Sequence, residues 1–69
     1  MSVAKVIEIS ATSPESFDAA VAEGIRRAAK TIKNIQGAWV KEQQVSVSNG
    51  EIDHYRVNLN ITFLLEGNE

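Results

Sequence analysis

The chain has 69 residues, no cysteine and a formal net charge of −2. That length makes one domain, residues 1–69, with a marginal core; the missing cysteines exclude disulfide staples and thiolate metal sites. Interspersed acidic and basic residues leave neither the basic stripe of a nucleic-acid footprint nor a polybasic membrane patch. No apolar run approaches the ~20 residues that span a bilayer. Met1-Ser2-Val3-Ala4-Lys5 lacks the basic and apolar regions of a signal peptide, so a cytoplasmic protein is expected. Oligomerisation is then the common remaining route to stability for so small a domain.

The first predicted element covers residues 3–10, a β-branched run suited to a strand. Ile7 and Ile9 share one face, with Ala4, Val6 and Glu8 on the other. Ser13 is expected to cap a helix, with Pro14 at its first position and Glu15 at its positive end. The helix is expected to run to about Lys33. Phe17, Ala20, Val21, Gly24, Ile25, Ala28, Ala29 and Ile32 fall on one stripe at helical spacing. The small residues in that stripe imply close approach to a sheet. Basic residues follow in the last turns, where they complement the helix dipole.

Two long runs come next. Residues 38–48 and 51–65 alternate apolar and polar side chains on either side of Asn49-Gly50. Both turn residues tolerate the positive φ of a type I′ hairpin turn. Runs of this length reach roughly 35–50 Å at about 3.3 Å per residue. A compact domain of this size is only about 22 Å across, with a radius of gyration near 11 Å. The ends of the hairpin are therefore expected to meet other copies of the chain.

A two-residue turn pairs Ser48 with Glu51, Val40 with Leu59 and Ala38 with Ile61. Tyr55, Val57, Leu59, Ile61 and Phe63 then share one face with Ala38, Val40, Glu42, Gln44 and Ser46. The other face holds Gly37, Trp39, Lys41, Gln43, Val45 and Val47 opposite Thr62, Asn60, Asn58, Arg56, His54 and Ile52. An indole among side-chain amides suits a subunit interface, or a ligand with a flat ring and hydrogen-bonding edges.

The chain resembles the dodecins, small βαββ proteins that assemble into hollow dodecamers. The matching features are Lys5-Val6-Ile7-Glu8-Ile9, Thr12-Ser13-Pro14-Glu15-Ser16, Ala28 with Thr31, and His54-Tyr55-Arg56-Val57 through Thr62-Phe63-Leu64-Leu65-Glu66-Gly67. The resemblance implies an α+β fold: a three-stranded antiparallel sheet partly wrapped around one helix, in a hollow homo-oligomer. It also implies flavin binding and storage, with riboflavin or FMN as the cofactor and self-assembly as the partnership. Stacking in dodecins also quenches the excited flavin and limits its photochemistry.

In flavin-binding members a Trp early in strand two stacks on the isoalloxazine ring, and a Gln on strand three bonds its polar edge. Those positions match Gly37 and Arg56 here, so both depart from the pattern. Trp39 stands two residues on, on the same sheet face and about 7 Å along the strand. Arg56 offers donors only, whereas Gln offers a donor and an acceptor. At a buried symmetric site its charge would need Glu42, Asp53 or a ligand phosphate as counter-ion. Gly37, Trp39 and Arg56 are thus the candidate ligand-binding residues.

Plainer roles stand beside these. Trp39 can be an interface anchor, Arg56 an intersubunit ion-pair member, His54 a solvated side chain, and Asn58 and Asn60 sheet-face polarity. Asp53, Glu51 and Glu8 could join a hard-cation site at an assembly axis. Ser10, Ser13 and Ser16 read as caps. With no Cys nucleophile, phosphate loop or metal-ligand spacing, and one unsupported His, no enzyme is expected. The alternative to flavin storage is a structural or ion-binding assembly that takes no flavin.

Overall fold

The computed structural model describes residues 3–65. Met1 and Ser2, and Glu66 and Gly67 of the closing motif, lie outside the described residues. The order is β1 (Ala4–Ser13), α1 (Phe17–Ala28), β2 (Ile35–Ser48) and β3 (Glu51–Leu64). The three strands form one antiparallel sheet in the order β1-β3-β2.

β1 runs three residues past its expected end, because Ala11, Thr12 and Ser13 still find partners in Val57, Arg56 and Tyr55. That displaces the helix start. Ser16, not Ser13, is the N-cap: its backbone is extended and its Oγ accepts from the Ala19 amide at 2.9 Å. Ser13 is buried in the strand, and its Oγ accepts from the Glu15 amide at 3.0 Å. Pro14 therefore precedes the cap and does not open the helix.

The helix also stops earlier than Lys33. Ala29 is its C-cap, and the amides of Lys30 and Thr31 reach the carbonyls of Arg27 and Ala28, a tightening to three-residue spacing. Two physical causes act here. Thr31 and Ile32 are β-branched and hold a helix poorly. The chain must also cross from α1 to β2 at the far edge of the sheet, and Asn34 turns it there with a φ of 65°.

The apolar stripe of α1 packs on β1 and β3. Ala20, Val57, Leu59 and Ile61 form the buried core, flanked by Ile7, Ile9, Ala11, Phe17, Val21, Ile25, Ala28 and Ile35. Burying a side chain such as Leu59 is worth about 1.5–3 kcal/mol. Gly24 is buried where the helix comes closest: a Cβ there would lie 3.1 Å from the Ala11 Cβ and 3.2 Å from the Leu59 Cδ1. The Phe17 and Tyr55 rings close the N-terminal end edge to face, 5.1 Å apart.

The turn at Asn49-Gly50 forms as expected, with positive φ at both residues and Ser48 opposite Glu51. Val40 pairs with Leu59 and Ala38 with Ile61, also as expected. Between these stretches the register slips by one residue. Asp53 is extra on β3, and Lys41 is extra on β2. The two bulges cancel, but the segment between them is turned over. Glu42, Gln44 and Ser46 pair with Asn58, Arg56 and His54, while Gln43 and Val45 pair with Val57 and Tyr55. The strict alternation expected for residues 42–48 is therefore reversed, which also moves Val47 and its partner Ile52 off the face of Trp39.

The molecule measures 52 × 19 × 13 Å with a radius of gyration of 14.3 Å, well beyond the ~11 Å of a compact chain this long. β1 pairs no further than Tyr55, so residues beyond it form a two-stranded arm. The helix does not extend over β2, and all of that strand except Ile35 and Ser46 is exposed.

Candidate functional site

Among the described residues, nothing of the same chain covers the sheet face opposite α1. Alternation along β1 puts Val6, Glu8, Ser10 and Thr12 there, opposite Thr62, Asn60, Asn58 and Arg56 on β3. β2 adds Gly37, Trp39, Glu42, Gln44 and Ser46. The face is amide- and hydroxyl-rich around one indole. Trp39 is 52% exposed and Val6 is 50% exposed, unusual for apolar side chains of a plain solvent surface when they share one face.

Local contacts order this face. The Asn58 Nδ2 donates to the Glu42 Oε1 at 3.0 Å, a pairing made possible by the bulge at Lys41. The Lys41 ammonium reaches the Glu8 Oε1 at 3.2 Å, tying the two outer strands across β3. Towards the arm, the His54 Nδ1 lies 3.2 Å from the Asp53 Oδ2. Arg56 makes no ion pair among the described residues. Glu42 and Asp53, the two carboxylates considered as its counter-ions, are engaged by Asn58 and His54 instead.

Gly37, Trp39 and Arg56 all occupy this face, but one copy does not gather them into a pocket. Trp39 stands opposite Asn60, and Arg56 lies four residues further along β3. That separation is roughly 13 Å at about 3.3 Å per residue. Gly37, opposite Thr62, is further still. Among the described residues, no atom beyond its chain neighbours lies within 4 Å of where a Gly37 Cβ would be, so no close approach there excludes a side chain.

A cleft of about 340 Å³ opens beside Arg56, lined by Gln44, Val45, Ser46 and His54. Sequence reasoning missed Gln44 and Ser46 because it placed them on the helix side. Like polarity across the strands was the available signal: one slip sets Glu42, Gln44 and Ser46 against Asn58, Arg56 and His54, and Val45 against Tyr55. Among the described residues no group of three or more His, Cys, Asp or Glu side chains could hold a metal ion within one copy. No helix of the described residues is long and apolar enough to cross a membrane.

Comparison with known proteins gives the lineage of this arrangement. The dodecin family model matches residues 3–66. The chain belongs to the dodecin family. It is 41% identical over 63 residues to the calcium dodecin of Mycobacterium tuberculosis, covering 91% of this chain and 89% of that protein. It is 33% identical over 64 residues to the dodecin of Thermus thermophilus, covering 93% of each. The solved dodecin from Streptomyces davaonensis superposes with a TM-score of 0.90 at 34% identity, covering 94% of this chain and 96% of that one. The crystal structure of the calcium dodecin, described as calcium chelating with a novel calcium-binding site, gives a TM-score of 0.81 at 38% identity, covering 97% and 96%. The βαββ order and the three-stranded antiparallel sheet are thus those of dodecins.

Proposed function

We propose that this dodecin is a non-enzymatic, cytoplasmic binding and storage protein. It assembles into a closed homo-oligomer, a dodecamer by family analogy, and holds flavin or a related flat heterocycle against its uncovered sheet face. The observation that carries this reading is Trp39: a half-exposed indole on an amide-rich face that its own helix does not cover. An indole there supplies a stacking surface, and neighbouring amides supply both donors and acceptors for the polar edge of a heterocycle. A second copy laid over the face would exclude water from the stacked ring. No enzymatic step is part of this reading: His54 is the one imidazole in the sequence, and its ion-pair partner among the described residues is Asp53.

One observation favours a second reading, an assembly that binds calcium and takes no flavin. The relative at 41% identity is named a calcium dodecin. Glu8 and Glu42 place two carboxylates on the same face, beside the amide oxygens of Asn58 and Asn60. Oxygen donors of this kind suit Ca²⁺, which takes 6–8 of them. A complete shell would need contributions from several copies.

The experiment is native mass measurement and an absorption spectrum of one purified sample, followed by titration with riboflavin and separately with Ca²⁺. Quenched flavin emission and quenched Trp39 emission on a multimer support the first reading. A colourless multimer that ignores riboflavin but takes up Ca²⁺ overturns it in favour of the second.

A further inference from the structure

The hairpin tip is the least supported part of the sheet. Beyond the bulge at Asp53, two pairs, Val47–Ile52 and Ser48–Glu51, hold the turn closed. Val47 is 62% and Ile52 51% exposed, so little apolar burial is lost when they part. The tip also ends a two-stranded arm, and a ribbon of two strands is marginal in water. Local opening costs least in such a segment. At its end stand Asn49 and Gly50, both exposed.

We infer that Asn49 is a site of spontaneous deamidation, gated by the turn that Asn49-Gly50 itself forms. The residue after an asparagine decides whether its side chain can react with the main chain. Gly50 has no Cβ to shield its amide nitrogen, and among the described residues no atom beyond its chain neighbours lies within 4 Å of where one would be. Asn34, Asn58 and Asn60 precede Ile35, Leu59 and Ile61, whose bulky side chains crowd the nitrogen. In the reaction the Gly50 nitrogen bonds to the Asn49 Cγ. The Cγ–Nδ2 bond breaks, and the proton of the Gly50 amide leaves with Nδ2 as ammonia. Water then opens the resulting succinimide at one of its two carbonyls. Opening at Cγ gives aspartate; opening at the main-chain carbonyl gives isoaspartate. The sequence of steps consumes water alone and is independent of what the sheet face binds.

The closed turn holds the first step back. The φ values of 53° at Asn49 and 76° at Gly50 fit a type I′ turn, in which ψ of the first residue is small and positive. At that ψ the Cβ of an L residue is turned nearly opposite the next amide nitrogen about the Cα–C bond. The Asn49 Cγ is therefore out of reach until rotation about that bond opens the turn. The rate of modification follows the open fraction of the tip. Aspartate at position 49 still suits a type I′ turn, but adds a carboxylate beside Glu51 and Asp53. Isoaspartate puts an additional carbon into the main chain, so the loop no longer sets Ser48 against Glu51. Deamidation thus dismantles the tip in one direction and ages the arm.

The test incubates the assembled protein at neutral pH beside the same chain kept unfolded in guanidinium chloride. Trypsin cleavage at Lys41 and Arg56 frees residues 42–56 for mass spectrometry. Conversion at Asn49 is expected in both samples, with isoaspartate as well as aspartate, and about tenfold or more slower in the folded protein because attack needs the open turn. Asn49→Gly, which leaves a turn-competent Gly-Gly pair, should show no conversion in that peptide and keep the Ser48–Glu51 NOE that aged wild type loses. No conversion in the folded protein over many half-lives of the unfolded chain would remove the site. Equal rates in the two states would overturn the gate, and aspartate without isoaspartate would overturn the succinimide route. Asn34, Asn58 or Asn60 reacting as fast as Asn49 in the unfolded chain would contradict the role of Gly50.

Discussion

Gly24→Ala should destabilise the protein, although helix propensity alone predicts the reverse. In an exposed helix interior the change gains about 1 kcal/mol. Here the new methyl would sit 3.1 Å from the Ala11 Cβ and 3.2 Å from the Leu59 Cδ1, against an ordinary carbon separation of about 3.5–4.0 Å. The Ala11 Cβ is fixed to a paired strand, and Leu59 is 1% exposed with little room to turn. The helix must back away by about half an ångström, and overpacking of that kind costs about 1–3 kcal/mol. The net is a loss of about 1 kcal/mol, a fall in Tm of about 4–8 °C for a domain of this size. Ala22→Gly, on the exposed side of the same helix, is the control and should cost about 1 kcal/mol from propensity alone. Thermal unfolding by circular dichroism at one fixed subunit concentration measures both, since assembly makes Tm concentration-dependent. A Tm that rises in Gly24→Ala would refute the close approach of helix and sheet.

Deleting Lys41 should leave the fold and the Glu42–Asn58 pairing intact, because the residue is extra to the ladder; the lost Lys41–Glu8 pair is exposed and costs about 0–1 kcal/mol. Cross-strand NOEs would check this, and Gln43 appearing opposite Asn58 would contradict it. The Glu23 carboxyl should titrate below 4.5: its hydrogen bond with Arg26 lowers it most, desolvation opposes that in part, and the charges of Arg26 and Arg27 lower it further. Its folded value is depressed, so its contribution is present above pH 4.5 and is lost as pH falls through the folded value. Carboxyl ¹³C titration reads this directly. Both side chains are open to solvent, Arg26 60% and Glu23 40% exposed, so high salt should return the value towards normal.

The turn, the base of the hairpin and the helix stripe were legible because each is local. Asn49-Gly50 carries its own backbone preference, and the small residues on the inner stripe of α1 announce close packing. Gly24 and Ala20 do lie at the sheet. The two bulges were harder to read. Residues 42–48 mix amides, a carboxylate, hydroxyls and valines, so alternation alone fits either face, and only matching against β3 favours the slip. The helix ends moved for tertiary reasons: β3 is long enough to keep Ser13 in the sheet, and the crossing to β2 ends the helix at Ala29. Trp39 and Arg56 were singled out from the residues and from family resemblance. Their separation along one face needed the ladder, and so did the companions Gln44 and Ser46.

Sedimentation from micromolar down to nanomolar subunit, followed by far-UV dichroism and Trp39 emission, tests most directly whether copies complete the uncovered face and the extended arm. The expected result is a folded species at a multiple of 7.5 kDa, with native dichroism and a shielded indole lost together when it dissociates. A lone 7.5 kDa chain that keeps native dichroism with a fully solvated indole would contradict it.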